Sequence, residues 1–210
     1  MTKRGLFLSL EGVDGAGKST HIPYMAQWLQ DQDITVVQSR EPGGTPLGEQ
    51  LREMLLHQPM HLKTETLLMF AARNEHIVQR IEPALAAGQW VICDRFSDAS
   101  YAYQGGGREL GATAIEQLEH WVHPQLQPDH TWLFDLDLAL AQQRLQQSRV
   151  MDRFEQEHEA FFLRTQDFYR QRARQQPQRF SIIDSSQSIT QIQMQLQHQL
   201  HALVQSWSCL

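Results

Sequence analysis

Five short apolar runs recur along the chain, at residues 6–10, 34–37, 90–93, 131–134 and 180–183. They are rich in leucine, β-branched and aromatic side chains, and none alternates with polar residues. That pattern predicts strands covered on both faces. Between the runs the spacing turns helical. Ile22, Met25, Ala26 and Leu29 mark one face of a first helix, and Ala114, Ile115, Leu118, Trp121 and Val122 mark another. A further amphipathic helix begins near Thr64. Residues 192–200 alternate strictly, yet Ile189, Ile192, Leu196, Leu200 and Leu203 form a helical stripe among helix-favouring Gln, Leu and Met. This segment therefore reads as helix. Pro23 falls one turn into the first helix, where its ring crowds the Ser19 carbonyl, and predicts a kink or a displaced start.

Alternating strands and helices predict an α/β fold: a five-stranded, mostly parallel sheet with helices on both faces, in one domain spanning 1–210. No repeat or linker interrupts it. Ligands of such sheets sit at the carboxyl ends of the strands. Residues 11–19, 40–44 and 94–107, and the stretch after Phe134, are therefore where chemistry is expected.

Composition narrows the classes. With 18 basic and 24 acidic residues the net charge is −6, which argues against a nucleic-acid partner. Cys93 and Cys209, the only cysteines, supply neither a disulfide framework nor metal-ligand spacing. No apolar stretch approaches the roughly 20 residues that cross a bilayer, and the first strand follows too closely for a signal peptide. A cytoplasmic protein without a membrane partner is expected.

The first strand runs into Gly12-Val13-Asp14-Gly15-Ala16-Gly17-Lys18-Ser19, followed by Thr20. This is G-x-x-x-x-G-K-S, strand before and helix after, the context of a phosphate-binding loop in a three-layer P-loop NTPase fold. The glycines let successive N–H groups face a phosphate chain, Lys18 supplies charge near the β- and γ-phosphates, and the Ser19 hydroxyl suits Mg²⁺. The loop alone says that a nucleoside triphosphate is held, not what for.

Other strand ends add chemistry. Asp94-Arg95 offers a carboxylate for metal-bound water and a guanidinium for phosphate. Arg40-Glu41-Pro42-Gly43-Gly44-Thr45 forms a turn whose charged members, Glu41 among them, can face a ligand. In Phe70-Ala71-Ala72-Arg73 a ring and a guanidinium share a helix face, with Met69 an equally open choice for the stacking place. Ser100-Tyr101-Ala102-Tyr103-Gln104-Gly105-Gly106-Gly107-Arg108 concentrates phenols, an amide and glycines; Gln104 can both donate to and accept from a base edge. Arg144, Arg149, Asp152 and Arg153 lie after the fourth strand, a lid-like segment near 144–157 whose arginines can neutralise a transferring phosphoryl group.

Taken together, E-G-V-D-G-A-G-K-S-T, R-E-P-G-G-T, F-A-A-R, D-R-F, A-Y-Q-G-G-G-R and D-R-F-E-Q-E make the chain, from about residue 5 to about 187, resemble the bacterial thymidylate kinases. The resemblance implies transfer of the ATP γ-phosphoryl group to thymidine monophosphate, with Mg²⁺ carried by ATP near Ser19 and Asp94, in a homodimer. It implies that Asp14 bonds the acceptor's 3′-hydroxyl and that Arg73 and Arg95 hold its 5′-phosphate. Phe70 would stack on thymine, Ser100 and Gln104 would read its edge, Tyr103 would exclude a 2′-hydroxyl, and Arg52 would face the thymine pocket. With Gly15 and Ala16 in the loop, catalytic charge would come from the lid, as Arg149 and Arg153. Related lids read Arg-Gly-x-Leu-Asp-Arg; this one reads Ser148-Arg149-Val150-Met151-Asp152-Arg153, without the glycine and with the arginine one place later.

Competing readings lack their own marks. A GTPase would carry N-K-x-D, a motor ATPase a strand ending in Asp-Glu, and another small-molecule kinase would lack both Asp14 and A-Y-Q-G-G-G-R. A binding module without turnover leaves Lys18 and Ser19 unexplained.

Overall fold

The computed structural model describes residues 3–146 and 152–209. Its centre is a sheet of five strands: β1 Phe7–Glu11, β2 Val36–Arg40, β3 Trp90–Asp94, β4 His130–Asp135 and β5 Phe180–Asp184. The spatial order is β2-β3-β1-β4-β5, and every neighbouring pair runs parallel. All five strands fall where the apolar runs predict them, although β2 begins later, at Val36.

Parallel strands need crossovers, and the helices supply them. Helix α1 (Lys18–Gln30) follows β1, α2 (Pro46–His57) and α3 (Leu62–His76) follow β2, and a π-helical turn at Ile77–Ile81 leads to α4 (Glu82–Ala86) before β3. After β3 come α5 (Ser97–Ser100), a second π-helical turn at Tyr101–Gly107 and α6 (Ala112–Val122). Helices α7 (Leu138–Gln146) and α8 (Glu159–Gln175) separate β4 from β5, and α9 (Ile189–Cys209) ends the chain.

Strand periodicity divides the core in two. Leu8 and Leu10 of β1 and Trp90 and Ile92 of β3 join one apolar cluster with Met25, Leu29, Leu196 and Leu200. Phe7, Val91 and Cys93, on the opposite face, join Ile77, Ile81, Leu85 and Phe96. Each of these large apolar side chains contributes about 1.5–3 kcal/mol by burial.

Two expectations are corrected and two are sharpened. The edge strands β2 and β5 are covered only in part, unlike β1, β3 and β4. An edge strand lacks a neighbour on one side, so it is left half-open. Trp121 is 79% exposed, and of its stripe only Ile115 is buried. The helix expected near Thr64 starts at Leu62. Helix α1 starts at Lys18 with no displacement, and Pro23, inside it, is exposed. The terminal segment is helical as expected, with Ile192, Leu196 and Leu200 buried.

Candidate functional site

The chemistry gathers at the carboxyl ends of β1, β2 and β3. The loop after β1 turns sharply: Gly12, Gly15 and Gly17 all have positive φ, and Gly17, at +92°, caps α1 in the left-handed region. A side chain there would be strained, which accounts for the glycine. The Lys18 ammonium folds back on the loop, donating to the carbonyls of Gly12 (2.9 Å) and Val13 (3.1 Å). Burial and the nearby Arg95 lower its pKa. Ser19 and Thr20 face solvent at the start of α1. A cleft over this loop is also lined by Asp94, Arg95 and Arg144.

A second cavity opens beside it, and Asp14 and Arg95 belong to both. Arg95 Nη2 donates to Asp14 Oδ1 (2.8 Å) and to Tyr103 Oη (2.9 Å), while Nη1 donates to Tyr169 Oη (3.0 Å). Tyr103 Oη in turn donates to Asp14 Oδ2 (2.8 Å). Burial opposes ionisation of Asp14, but Arg95 and Lys18 hold it below the usual carboxylate range. Burial alone would disfavour the Arg95 charge; Asp14, together with Tyr103, Tyr169 and Asp94, outweighs it and raises the pKa.

Arg95 also has φ +73°, a left-handed conformation costly for a residue with a side chain. Its surroundings hold it there. Its own N–H bonds Leu10 O (2.9 Å), and the next N–H, of Phe96, bonds Glu11 Oε1 (2.7 Å). The other oxygen of Glu11 accepts from Tyr169 Oη (2.9 Å). Glu11 thus grips the arginine from backbone and side chain. It is wholly buried, and burial together with the Asp98 charge pushes its pKa up to about 8.

The inner part of the cavity is built on Glu41 and Arg73. Arg73 Nε donates to Glu41 Oε2 (2.7 Å), and Nη2 donates to Ser100 Oγ (3.0 Å) and Phe96 O (3.1 Å). Its Nη1 is buried with no partner. Burial works against the Glu41 charge, yet Arg73 and a hydrogen bond with His76 (2.9 Å) lower its pKa. Arg52 donates to Pro42 O (2.9 Å) at the cavity rim. Arg73 and Arg95 are therefore held by separate networks on one cavity.

The π-helical turn at 101–107 carries Tyr103 and Gln104 into this wall. Arg108 N bonds Tyr103 O (2.8 Å) across the wide turn, and all seven residues of the turn are buried. Gln104 Nε2 donates to Glu65 Oε1 (2.9 Å).

Two placements differ from expectation. Phe70 is 2% exposed and packs with Tyr101 and Ile115, its ring 4.6 Å from the Arg73 guanidinium, while Met69 is the one of the two that lines the cavity. Helical geometry explains this: Glu65, Met69 and Arg73 are spaced four apart on one face, and Phe70 is turned about 100° from Met69.

Arg153 turns to Leu55 and Glu65, not to the phosphate loop. Its Nε and Nη2 donate to Leu55 O (3.2 and 2.8 Å), and Nη1 pairs with Glu65 Oε2 (2.8 Å). All three nitrogens are engaged, one of them by the buried Glu65 carboxylate. Arg149 lies outside the described residues. Among the described arginines of the segment after β4, Arg144 lies beside the loop: its Nη1 is the atom nearest the space above Gly17, and its Nη2 donates to Ser185 O (3.2 Å).

Glu11, Glu65 and Tyr169 are the residues that sequence reasoning missed. Glu65 had a signal, an acid in helical register with Met69 and Arg73. Tyr169 had none beyond its helix.

Among the described residues no group of three or more His, Cys, Asp or Glu could hold a metal by itself. Asp94 Oδ1 is buried without a hydrogen-bond partner and lines the loop cleft with Ser19. One carboxylate and one hydroxyl fit an ion that arrives on phosphates, as Mg²⁺ does. No helix among the described residues is long and apolar enough to cross a membrane.

The family model for thymidylate kinase matches residues 10–196. The thymidylate kinase of Bordetella pertussis is 60% identical over 204 residues, 97% of this chain and 98% of that protein. That of Janthinobacterium sp. (strain Marseille) is 58% identical over 192 residues, 91% of this chain and 94% of that one. The crystal structure of thymidylate kinase from Ehrlichia chaffeensis superposes with a TM-score of 0.78 at 31% identity, covering 94% of this chain and 99% of that one.

Proposed function

This chain belongs to the thymidylate kinase family, and from that premise we propose how its residues carry phosphoryl transfer from ATP to thymidine monophosphate. The observation that carries the reading is the Asp14–Arg95–Tyr103 contact, which joins the phosphate loop to the second cavity. The loop cleft takes the triphosphate: Gly12 to Gly17 supply backbone N–H groups, Lys18 leaves its two carbonyls for the phosphates, and Ser19 and Thr20 open α1 beneath them. The second cavity takes the monophosphate. Transfer is in line across the Asp14–Arg95 seam between them.

The acceptor phosphate needs no strong base, since its second pKa of about 6 leaves it mostly ionised at neutral pH. The difficulty is bringing two anions together, so the work is electrostatic. Arg95 receives the acceptor phosphate. Asp14 and Tyr103, which already flank that guanidinium, take the sugar: Asp14 the 3′-hydroxyl, Tyr103 the edge where a 2′-hydroxyl would project. Arg73 brings its free Nη1 to a ligand oxygen beside Ser100, and Met69 supplies an apolar face for the base. Glu41 keeps Arg73 in place, and Arg52 closes the rim. Ser19 and Asp94 would hold Mg²⁺ with the ATP phosphates, where the ion supplies charge neutralisation. Arg144 is the described arginine placed to meet the transferring group; Arg149, in the lid segment near 144–157, would join it.

Leu67, Val78 and Trp121 are exposed apolar residues on α3, the following π-turn and α6, a face that a second copy would cover in a homodimer. A cytoplasmic setting without a nucleic-acid partner completes the reading.

A coupled assay of ADP release, with each nucleoside monophosphate offered in turn, tests it. Thymidine monophosphate should give the highest kcat/KM. Equal turnover of a purine monophosphate would overturn the assignment of the second cavity.

A further inference from the structure

Glu65 is a buried acid with no place in the transfer chemistry. It is 1% exposed and sits on α3 one turn before Met69. Three groups converge on it: Gln104 Nε2 on Oε1 (2.9 Å), Arg153 Nη1 on Oε2 (2.8 Å) and Arg108 Nε near Oε2 (3.6 Å). A carboxylate in an ion pair has lone pairs and no proton to give. Only the NH₂ end of the Gln104 amide can face it. The carbonyl end, Gln104 Oε1, then points the other way, and Gln104 lines the cavity. Oε1 makes no hydrogen bond to any described residue.

We propose that Glu65 is a positioning residue for base selection: it fixes the Gln104 amide so that the cavity meets the base with an acceptor, selecting a pyrimidine whose N3 carries hydrogen. The inference rests on the reading that Gln104 faces the base. Thymine and uracil present N3–H as a donor. Cytosine presents an unprotonated N3, and an acceptor facing an acceptor leaves both unsatisfied. A site that strands a buried polar group rejects the wrong ligand more strongly than one that merely loses a contact.

The same geometry dictates what removing the charge would do. In Glu65→Gln the new amide has two guanidiniums on one side and Gln104 on the other. Its carbonyl turns to the arginines and its NH₂ to Gln104. Gln104 must then flip, and its own NH₂ enters the cavity, suited to cytosine N3.

The experiment compares kcat/KM for thymidine and deoxycytidine monophosphates. Glu65→Gln should lower the thymidine-to-deoxycytidine ratio by about tenfold or more, with the change mainly in KM. A loss shared equally by both substrates would reduce Glu65 to packing and overturn the proposal. Gln104→Ala separates the inference from its premise. A ratio unmoved by Gln104→Ala sinks the base-reading role itself; a ratio moved by Gln104→Ala but not by Glu65→Gln sinks only the orienting role. The exchange variant E65Q/Q104E keeps the net charge and restores an acceptor to the cavity, because Gln at 65 donates to Glu at 104. It should recover the preference for thymidine monophosphate. If the single variant does not fold, the exchange variant decides alone, and a double variant without that preference overturns the proposal.

Discussion

The two halves of the site are finished to different degrees. On the acceptor side the polar side chains are tied to one another: Arg73 with Glu41 and Ser100, Gln104 and Arg153 with Glu65, and Arg95 with Asp14, Tyr103 and Tyr169. On the triphosphate side Lys18 bonds its own loop, Ser19 and Thr20 face solvent, and Asp94 Oδ1 has no partner. The contrast follows from ligand charge. A triphosphate brings enough charge and metal to organise its own cleft. A nucleoside monophosphate must be told apart from close relatives, and discrimination needs groups held in place beforehand.

The contrast can be broken most severely at Lys18. Lys18→Met should lower kcat by on the order of 10³ and leave thymidine monophosphate binding within a few-fold by titration calorimetry. A large loss of acceptor affinity would erase the division. Next come the arginines. Arg144→Ala should lower kcat by about 10² with little change in acceptor KM. Arg153→Ala should instead raise acceptor KM about tenfold and lower Tm, because it strands a buried carboxylate. Steady-state kinetics on both variants would show whether the two effects fall on opposite sides, and a kcat loss confined to Arg153→Ala would reverse the assignment.

Tyr169→Phe is milder. It removes one hydroxyl bonded to Arg95 and Glu11, and should raise acceptor KM about five-fold with kcat nearly kept. The smallest effect on catalysis is expected at Glu11, whose change falls on the pH dependence of stability. The Glu11 pKa is raised by burial, to about 8 in the folded protein, against 4.5 for the free side chain. Between those values the unfolded chain has lost the proton and the folded one keeps it. Glu11 therefore erodes stability as pH rises through that window, and the loss is complete above 8. Glu11→Gln should flatten Tm against pH from 5 to 8; an unchanged slope would show that Glu11 is ionised throughout.

How much of this was legible in the sequence depended on range. The strands and the phosphate loop are local patterns, so β1 to β5 and the Lys18 loop could be placed from spacing alone. The edge character of β2 depends on which strands become neighbours, and nothing local to residues 36–40 reports it. Met69 against Phe70 was open because a one-residue rotation on α3 decides it, and the helix phase is set by Glu65 and Arg73 together. Arg153 was misplaced for a related reason. Its position in a lid-like segment suggested the phosphate loop, but its partner Glu65 lies 88 residues earlier and appears only in the fold. Tyr169 and Glu11 meet across 158 residues and could not be paired beforehand.

The glycines that close the 101–107 turn set a practical limit on redesign. A methyl group at Gly106 would enter the ring of Phe168, and one at Gly107 would meet Phe161 and Thr165, whereas one at Gly105 would find ordinary contact distances. A library aimed at new nucleotide preferences should therefore vary 65, 100, 104 and 105. It should leave 106 and 107 fixed, since diversity there would be spent on chains that cannot seat the turn against α8.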